Sequence, residues 1–394
     1  MQDSAPFQGK SNSFPLWTRD FILISLTNLT MFLGLQVLLP TLPVFVDYLG
    51  GNDSHVGMVI GVFTVSAMII RPWAGFMLDT KERRGILLGG LAVFVISAIA
   101  YNWAATITFL MLMRFLHGLG WGACTTAAGT VAADIIPRPR MGEGMGYFGL
   151  ATAVSMAVAP AAGIFIINNY SFTYLFFTSA TLALLALIFS LGIRYEKVTK
   201  DVNAPKPTLF EKSALRPSLV IFFVTTTFGS IVSFLVLYAN QRGIDNIGPY
   251  FSVFALIMLV SRPVSGILVD KRGYNIVVVP GILLLVASML ILSVSHTMWM
   301  FLLAAALYGL GFGSVQPSMQ ALAVRNAEPN RRGAVNSTFF SAFDLGIGGG
   351  AMVWGIVAQI TGYPLIYAIA SIPGLIALAT YLMLGNRKSN SDSH

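Results

Sequence analysis

The sequence predicts an all-α membrane protein with 12 transmembrane helices in two pseudo-symmetric six-helix bundles. Three observations predict it. Of 394 residues, 56% are hydrophobic and 10% charged, with a mean hydropathy of +0.75; a soluble chain carries about 25% charged residues. Lys and Arg gather in alternate breaks between the apolar runs. The two halves of the chain repeat one another at a displacement of 191 residues. Twelve spans of about 22 residues use roughly 264 residues and leave room only for short loops.

The apolar runs set the elements in order. In the first half they cover 20–46, 55–78, 86–104, 108–135, 142–167 and 171–193. In the second half they cover 218–240, 248–269, 275–295, 298–324, 334–360 and 364–384. The organisation expected is a tail 1–16, a bundle 17–193, a polar linker 194–217 broken by Pro205, Pro207 and Pro217, a bundle 218–384 and a tail 385–394. The first 16 residues are polar and lack the basic start of a signal peptide, so the first run reads as a retained span.

Orientation follows from charge. With the N-terminus inside, 20 of the 24 Lys and Arg fall in cytoplasmic segments, only Arg242 falls outside, and Arg71, Arg114 and Arg262 lie within spans. That bias favours an even span count with both termini cytoplasmic. It also assigns the net charge of +8 to the membrane face rather than to nucleic acid. Cys124 is the single cysteine, so no intrachain disulfide forms, and scattered histidines offer no metal cluster. No cofactor is expected. No Walker loop, catalytic triad or His-Glu-x-x-His stretch is present, which argues against an ATP-driven pump or an intramembrane enzyme.

The repeat has two clear pieces. Arg71-Pro72-x-x-Gly75-x-x-x-Asp79 returns as Arg262-Pro263-x-x-Gly266-x-x-x-Asp270, and His117-Gly118-Leu119-Gly120-Trp121-Gly122 as Tyr308-Gly309-Leu310-Gly311-Phe312-Gly313. Two repeated halves around a midplane site are the architecture of many secondary transporters. Residues 71, 75 and 79 share one helix face; Gly75 permits close helix approach, and Asp79 can accept from the amides of a helix N-terminus.

Buried charge marks further candidates. An Arg within a span costs at least ~2.5 kcal/mol and needs partners. Arg71 and Arg262 lie about two turns inside the boundary, and Arg262 reads as a structural pairing with Asp79 or Asp270, or as a snorkelling side chain. Arg114 lies deeper, on the face of Gly118 and Gly122. Asp344 is the only acidic residue well inside a span, so it must be protonated, paired or facing water. Arg71 is its candidate partner, in a proton-coupling site or in a static pair joining the halves. Polar and aromatic candidates for a substrate cavity are Asn28, Gln36, His117, Tyr238, Asn240, Gln241, Tyr308 and Gln316, with Phe63, Phe339, Phe340 and Phe343 as an apolar wall.

On three patterns the whole chain resembles the major facilitator superfamily, specifically its drug/proton antiporter-like exporters. The stretch Gly75-Phe76-Met77-Leu78-Asp79-Thr80-Lys81-Glu82-Arg83-Arg84-Gly85 looks like the family's loop between spans 2 and 3. Arg114-Phe115-Leu116-His117-Gly118 is similar to its Arg-x-x-x-Gly pattern, and Ala159-Pro160-Ala161-Ala162-Gly163 to the antiporters' Gly-Pro-x-x-Gly, with Ala at the first Gly. The resemblance implies a latch in which Asp79, with Gly75 and Arg83, meets span 11, and Gly266 and Asp270 meet span 5. It implies that spans 2 and 11 adjoin, that Arg114 serves proton coupling or anion contact, and that Pro160 and Gly163 form a hinge packed between the halves. The expected function is proton-coupled efflux of a small organic molecule by a monomer in the lipid bilayer of a bacterial plasma membrane. Uptake or exchange of a sugar or other metabolite is the rival. Arg-Pro-Trp-Ala-Gly at 71–75 also looks like exporters of anionic, metal-chelating metabolites.

Overall fold

The computed structural model describes residues 15–195, 208–244, 246–325 and 327–389. Most of the expected N-terminal tail and linker, and the last five residues, lie outside them. The described residues form 13 α-helices and no strand. They are α1 (Arg19–Gln36), α2 (Leu42–Tyr48), α3 (Asp53–Thr80), α4 (Arg83–Ala100), α5 (Ile107–Ile135), α6 (Met141–Asn169) and α7 (Phe172–Leu191), then α8 (Leu215–Gln241), α9 (Gly248–Arg272), α10 (Asn275–Ser293), α11 (Met298–Arg325), α12 (Arg332–Thr361) and α13 (Tyr363–Ser389). Local signals set their starts. Thr18 and Thr106 accept the amides of Phe21 and Phe109, and Asn52 forms a reciprocal capping box with His55.

Eleven of these helices are long and apolar enough to cross a membrane. The first span differs from expectation: the run 20–46 divides into α1 and α2 around a turn at residues 37–41. Pro40 and Pro43 lack the amides that would carry the helix through, and Arg19, Asp20, Asn28 and Gln36 lower the hydropathy of α1. It nevertheless takes a span's place. α1 packs on α6, α7 and α5 as α8 packs on α12, α13 and α11. The end of α13 also differs, staying helical five residues into the expected tail.

The first seven helices form one six-span bundle, counting α1 and α2 as one span, and α8–α13 form the other. They meet chiefly along two seams, α3 against α12 and α6 against α9. Because the spans alternate in direction, Lys81, Arg83, Arg84, Arg138, Arg140, Lys271, Arg272, Arg325 and Arg331 share one end, the basic end; Arg242 lies at the other.

Candidate functional site

At the basic end each seam closes on a carboxylate. Asp79 accepts from the Gly333 amide at 2.7 Å and the Ala334 amide at 2.8 Å. Asp270 accepts from the Gly142 amide at 2.9 Å and the Glu143 amide at 2.7 Å. Each carboxylate thus takes up two of the amides a helix N-terminus leaves without partners, where the dipole favours negative charge. Glycine makes the approach possible. A Cβ on Gly75 would sit 2.8 Å from the Gly333 carbonyl oxygen, and one on Gly266 would sit 2.3 Å from that of Gly142.

The α3 seam has a further layer. Arg83 donates from Nε to Asp134 Oδ2 at 2.8 Å, to the Leu78 carbonyl at 2.8 Å and across the seam to the Pro329 carbonyl at 2.9 Å. Arg332 of the other bundle donates to Asp134 Oδ1 at 2.9 Å and to the Ala133 carbonyl at 2.7 Å. All three charged side chains are buried. Sequence reasoning missed Asp134 and Arg332, which lie 198 residues apart. One signal was present: the repeat mate of Asp134 is Arg325, so the two seams carry opposite charge at that position. There Arg325 sits 5.9 Å over the Tyr274 ring, and Tyr274 is the mate of Arg83.

Eight residues further along α3, Arg71 reaches Asp344 of α12. Its Nε and Nη2 both lie 2.8 Å from Oδ2. Nη1 donates to Thr125 Oγ1 at 2.9 Å and Thr126 Oγ1 at 3.2 Å, and the guanidinium lies 5.2 Å over Phe340. Arg71 is 2% exposed, whereas the Asp344 side chain keeps 18%.

Arg262 departs from its expected pairing, since neither Asp79 nor Asp270 reaches it. Nη1 donates across the second seam to the Gly149 carbonyl at 2.5 Å, Nη2 meets Met258 Sδ at 3.6 Å, and Nε has no partner. Its guanidinium cannot snorkel, being 1% exposed. Arg114 turns into its own bundle: Nε donates to the Val59 carbonyl at 3.3 Å, the guanidinium stacks 4.1 Å from the Phe63 ring, and the Tyr101 hydroxyl lies beside it. His117, one turn on, shares a 2.7 Å hydrogen bond with Tyr101.

The cavity candidates do not converge. Asn28 donates to the Phe148 carbonyl at 3.1 Å within the first bundle. Tyr238 is buried in the second, donating to the Leu292 and Ser295 carbonyls at 2.9 and 3.0 Å. Asn240 and Gln241 are exposed at the end of α8, and Gln36 is half-buried at the end of α1. Tyr308 is fully buried, bonded to Thr227 at 2.8 Å. Gln316 is buried with its Oε1 unpartnered. Phe343 lies 6.4 Å from Phe312, while Phe339 is buried in the core. Gly163 packs against the Val37 carbonyl of its own bundle, where a Cβ would come to 2.3 Å, and not between the halves; α6 passes through Pro160 unbroken. The contacts of α6 across the seam use Gly142, Gly146 and Gly149 instead.

Known proteins share this architecture. An uncharacterized MFS-type transporter of Methanocaldococcus jannaschii is 24% identical over 389 residues, covering 95% of this chain and 98% of that protein. The multidrug resistance protein MdtG of Citrobacter koseri is 24% identical over 379 residues, covering 90% and 92%. The crystal structure of the human organic anion transporter MFSD10 (TETRAN) superposes with a TM-score of 0.80 at 18% identity, covering 92% of this chain and 99% of that one. The family model for the Major Facilitator Superfamily matches residues 24–351 and 246–393, and with two six-span bundles meeting at paired seams, the chain belongs to that superfamily of membrane transporters.

Proposed function

We propose that the chain is a secondary active transporter that exports a small organic molecule in exchange for protons, by alternating access. The bundles 17–193 and 218–384 rock against each other, with both termini cytoplasmic, as a monomer in a prokaryotic plasma membrane. The observation that carries this reading is the Arg71–Asp344 pair. A carboxylate inside a span has to be paired, protonated or wetted, and this one is paired across the two moving parts. Both arginine nitrogens bond Oδ2, so Oδ1 is the oxygen a proton can reach. A proton arriving from the outer side neutralises Asp344 and frees α3 from α12. The seams then part at the basic end, the proton leaves inward, and the pair re-forms as that end closes. The latches at Asp79 and Asp270 hold the closed state. Relatives named as multidrug resistance proteins support export of a drug-like or metabolite substrate.

The test uses Asp344→Asn, which keeps the shape and removes the titrating group. In proteoliposomes with an interior pH dye, the wild type moves protons when substrate is added. The variant is expected to bind substrate and move none. Proton movement undiminished in the variant would leave the pair as a static tie.

A further inference from the structure

The displacement of 191 residues makes each seam a template for the other. Asp79 and its partners Gly333 and Ala334 map onto Asp270, Gly142 and Glu143, and the same four bonds form. Eight residues along, the templates diverge. Arg71 maps onto Arg262, Asp344 onto Ala153, Phe340 onto Gly149 and Thr125 onto Gln316. At the first seam the guanidinium is complete: a carboxylate in front, a ring beneath and two hydroxyls behind. At the second the carboxylate is missing, and the ring is replaced by a glycine. A Cβ on Gly149 would lie 2.2 Å from Arg262 Nη1, so the guanidinium drops onto the backbone there. Its Nε is buried without a partner among the described residues, and so is Oε1 of Gln316, which stands on α11 at the repeat position of Thr125.

A buried guanidinium needs a counter-charge, and among the described residues no carboxylate reaches this one. We propose that a carboxylate of the transported molecule takes the place Asp344 holds at the first seam, so that Arg262 is the docking point for an organic anion. Nε and one Nη of Arg262 present the fork that fits a carboxylate, and the Gln316 carboxamide can turn an N–H toward the same oxygens. Phe312 lies one turn before Gln316 and 6.4 Å from Phe343, so an aromatic body attached to the carboxylate meets ring surface. A cationic substrate has no equivalent. Among the described residues the one carboxylate well inside a span, Asp344, is already held by Arg71. The inference rests on the transport reading and is independent of its proton coupling.

Equilibrium binding to the purified full-length protein separates the two. The probes are 2-naphthoate, its neutral amide and the cationic 2-naphthylmethylammonium, at neutral pH in detergent without any gradient. Naphthoate is expected to bind saturably and raise the melting temperature; the amide and the cation are not. Losing a charge-assisted hydrogen bond, Arg262→Gln weakens naphthoate about tenfold or more, while Arg262→Lys retains part of the affinity. Ala153→Asp supplies the missing carboxylate internally, so it too excludes naphthoate, and it keeps the guanidinium paired should Arg262→Gln fail to fold. The assay runs without a gradient, so failed binding counts against Arg262 alone, and a failed proton-movement test in the proteoliposomes counts against Asp344 alone. No binding of naphthoate, equal binding of the cation, or an unchanged affinity in both Arg262→Gln and Ala153→Asp overturns the proposal.

Discussion

Arg83 and Arg332 come from opposite bundles and share one carboxylate, that of Asp134, at 2.8 and 2.9 Å. The shared anion ties α5 to the start of α12 directly beside the amide contacts of Asp79. Among the described residues the other seam does not repeat this tie, since Arg325 and Tyr274 stand where Asp134 and Arg83 stand here. The two seams therefore differ in charge although the four amide bonds match.

A difference in mutational response follows. Asp79→Asn and Asp270→Asn each remove a charge that meets a helix N-terminus, an interaction of about 0.3–2 kcal/mol. Both variants are expected to insert normally and transport more slowly. Asp79→Asn also perturbs the Arg83–Asp134–Arg332 cluster, so its loss is the larger. Wild-type rates from correctly inserted Asp79→Asn protein would reject the latch.

Gly266→Ala tests the second seam sterically. The new methyl would sit 2.3 Å from the Gly142 carbonyl oxygen, so α9 has to move away from α6. Asp270 then loses its hold on the Gly142 and Glu143 amides. Hydrogen exchange at those two amides is expected to accelerate, with exchange at Gly333 and Ala334 of the other seam unchanged.

The residues Gly75, Asp79, Gly266 and Asp270 and the lone carboxylate Asp344 stood out in the sequence because each rests on a rare event, while the helices they meet followed from the family resemblance and the repeat. A Gly-x-x-x-Asp repeated at one displacement is hard to produce by chance, and a lone carboxylate inside a span has few partners to choose from. The Asp134–Arg332 contact was not legible. Its residues are distant in sequence and sit at span ends, where charge is common and carries little information. The break between α1 and α2 was hidden because Pro40 and Pro43 lie inside an apolar run that hydropathy scores as continuous. Tyr238 and Tyr308 were candidates for a cavity because hydropathy reports how polar a helix is and not which face meets a neighbour. Packing decided that, and it placed both rings in the core of the second bundle.

Breaking the Arg71–Asp344 pair on one side leaves a charge inside the membrane. Arg71→Leu alone is expected to destabilise the protein by about 3–5 kcal/mol, whereas Arg71→Leu with Asp344→Leu recovers most of that loss. Unfolding in graded SDS provides the measurement. Additive losses in the double variant would mean that the two side chains do not depend on each other.

The linker's described end gives a pH dependence. Glu211 pairs with Arg331, and its backbone amide donates to Thr338 Oγ1 at 3.0 Å. Burial pushes the Glu211 carboxyl up, but the Arg331 hydrogen bond and the Ser213 amide outweigh it and hold the group below its ordinary value of 4.5. A depressed value means that the pair stabilises the folded chain above pH 4.5 and fades as the pH falls through the lower folded value. The melting-temperature gap between wild type and Glu211→Gln should be constant from pH 8 to about 5 and close below that. A gap that persists at low pH would assign the contact to shape rather than charge.

Arg114 is the sharpest case of stability set against activity. Its guanidinium is fully buried, rests on the Phe63 ring and has the Tyr101 hydroxyl beside it. Burying a guanidinium is costly, and each buried donor with an imperfect partner costs about 1–3 kcal/mol. Arg114→Ala is therefore expected to lose active transport while melting no lower than the wild type. Arg114→Lys should rescue little, since an ammonium cannot reproduce the planar stacking on Phe63 together with the bond to the Val59 carbonyl. The outcomes are separable. A variant that melts early and transports in proportion to its folded fraction would make Arg114 a packing residue, and a fully active Ala variant would do the same. A stable but inactive one would place the guanidinium in the transport cycle.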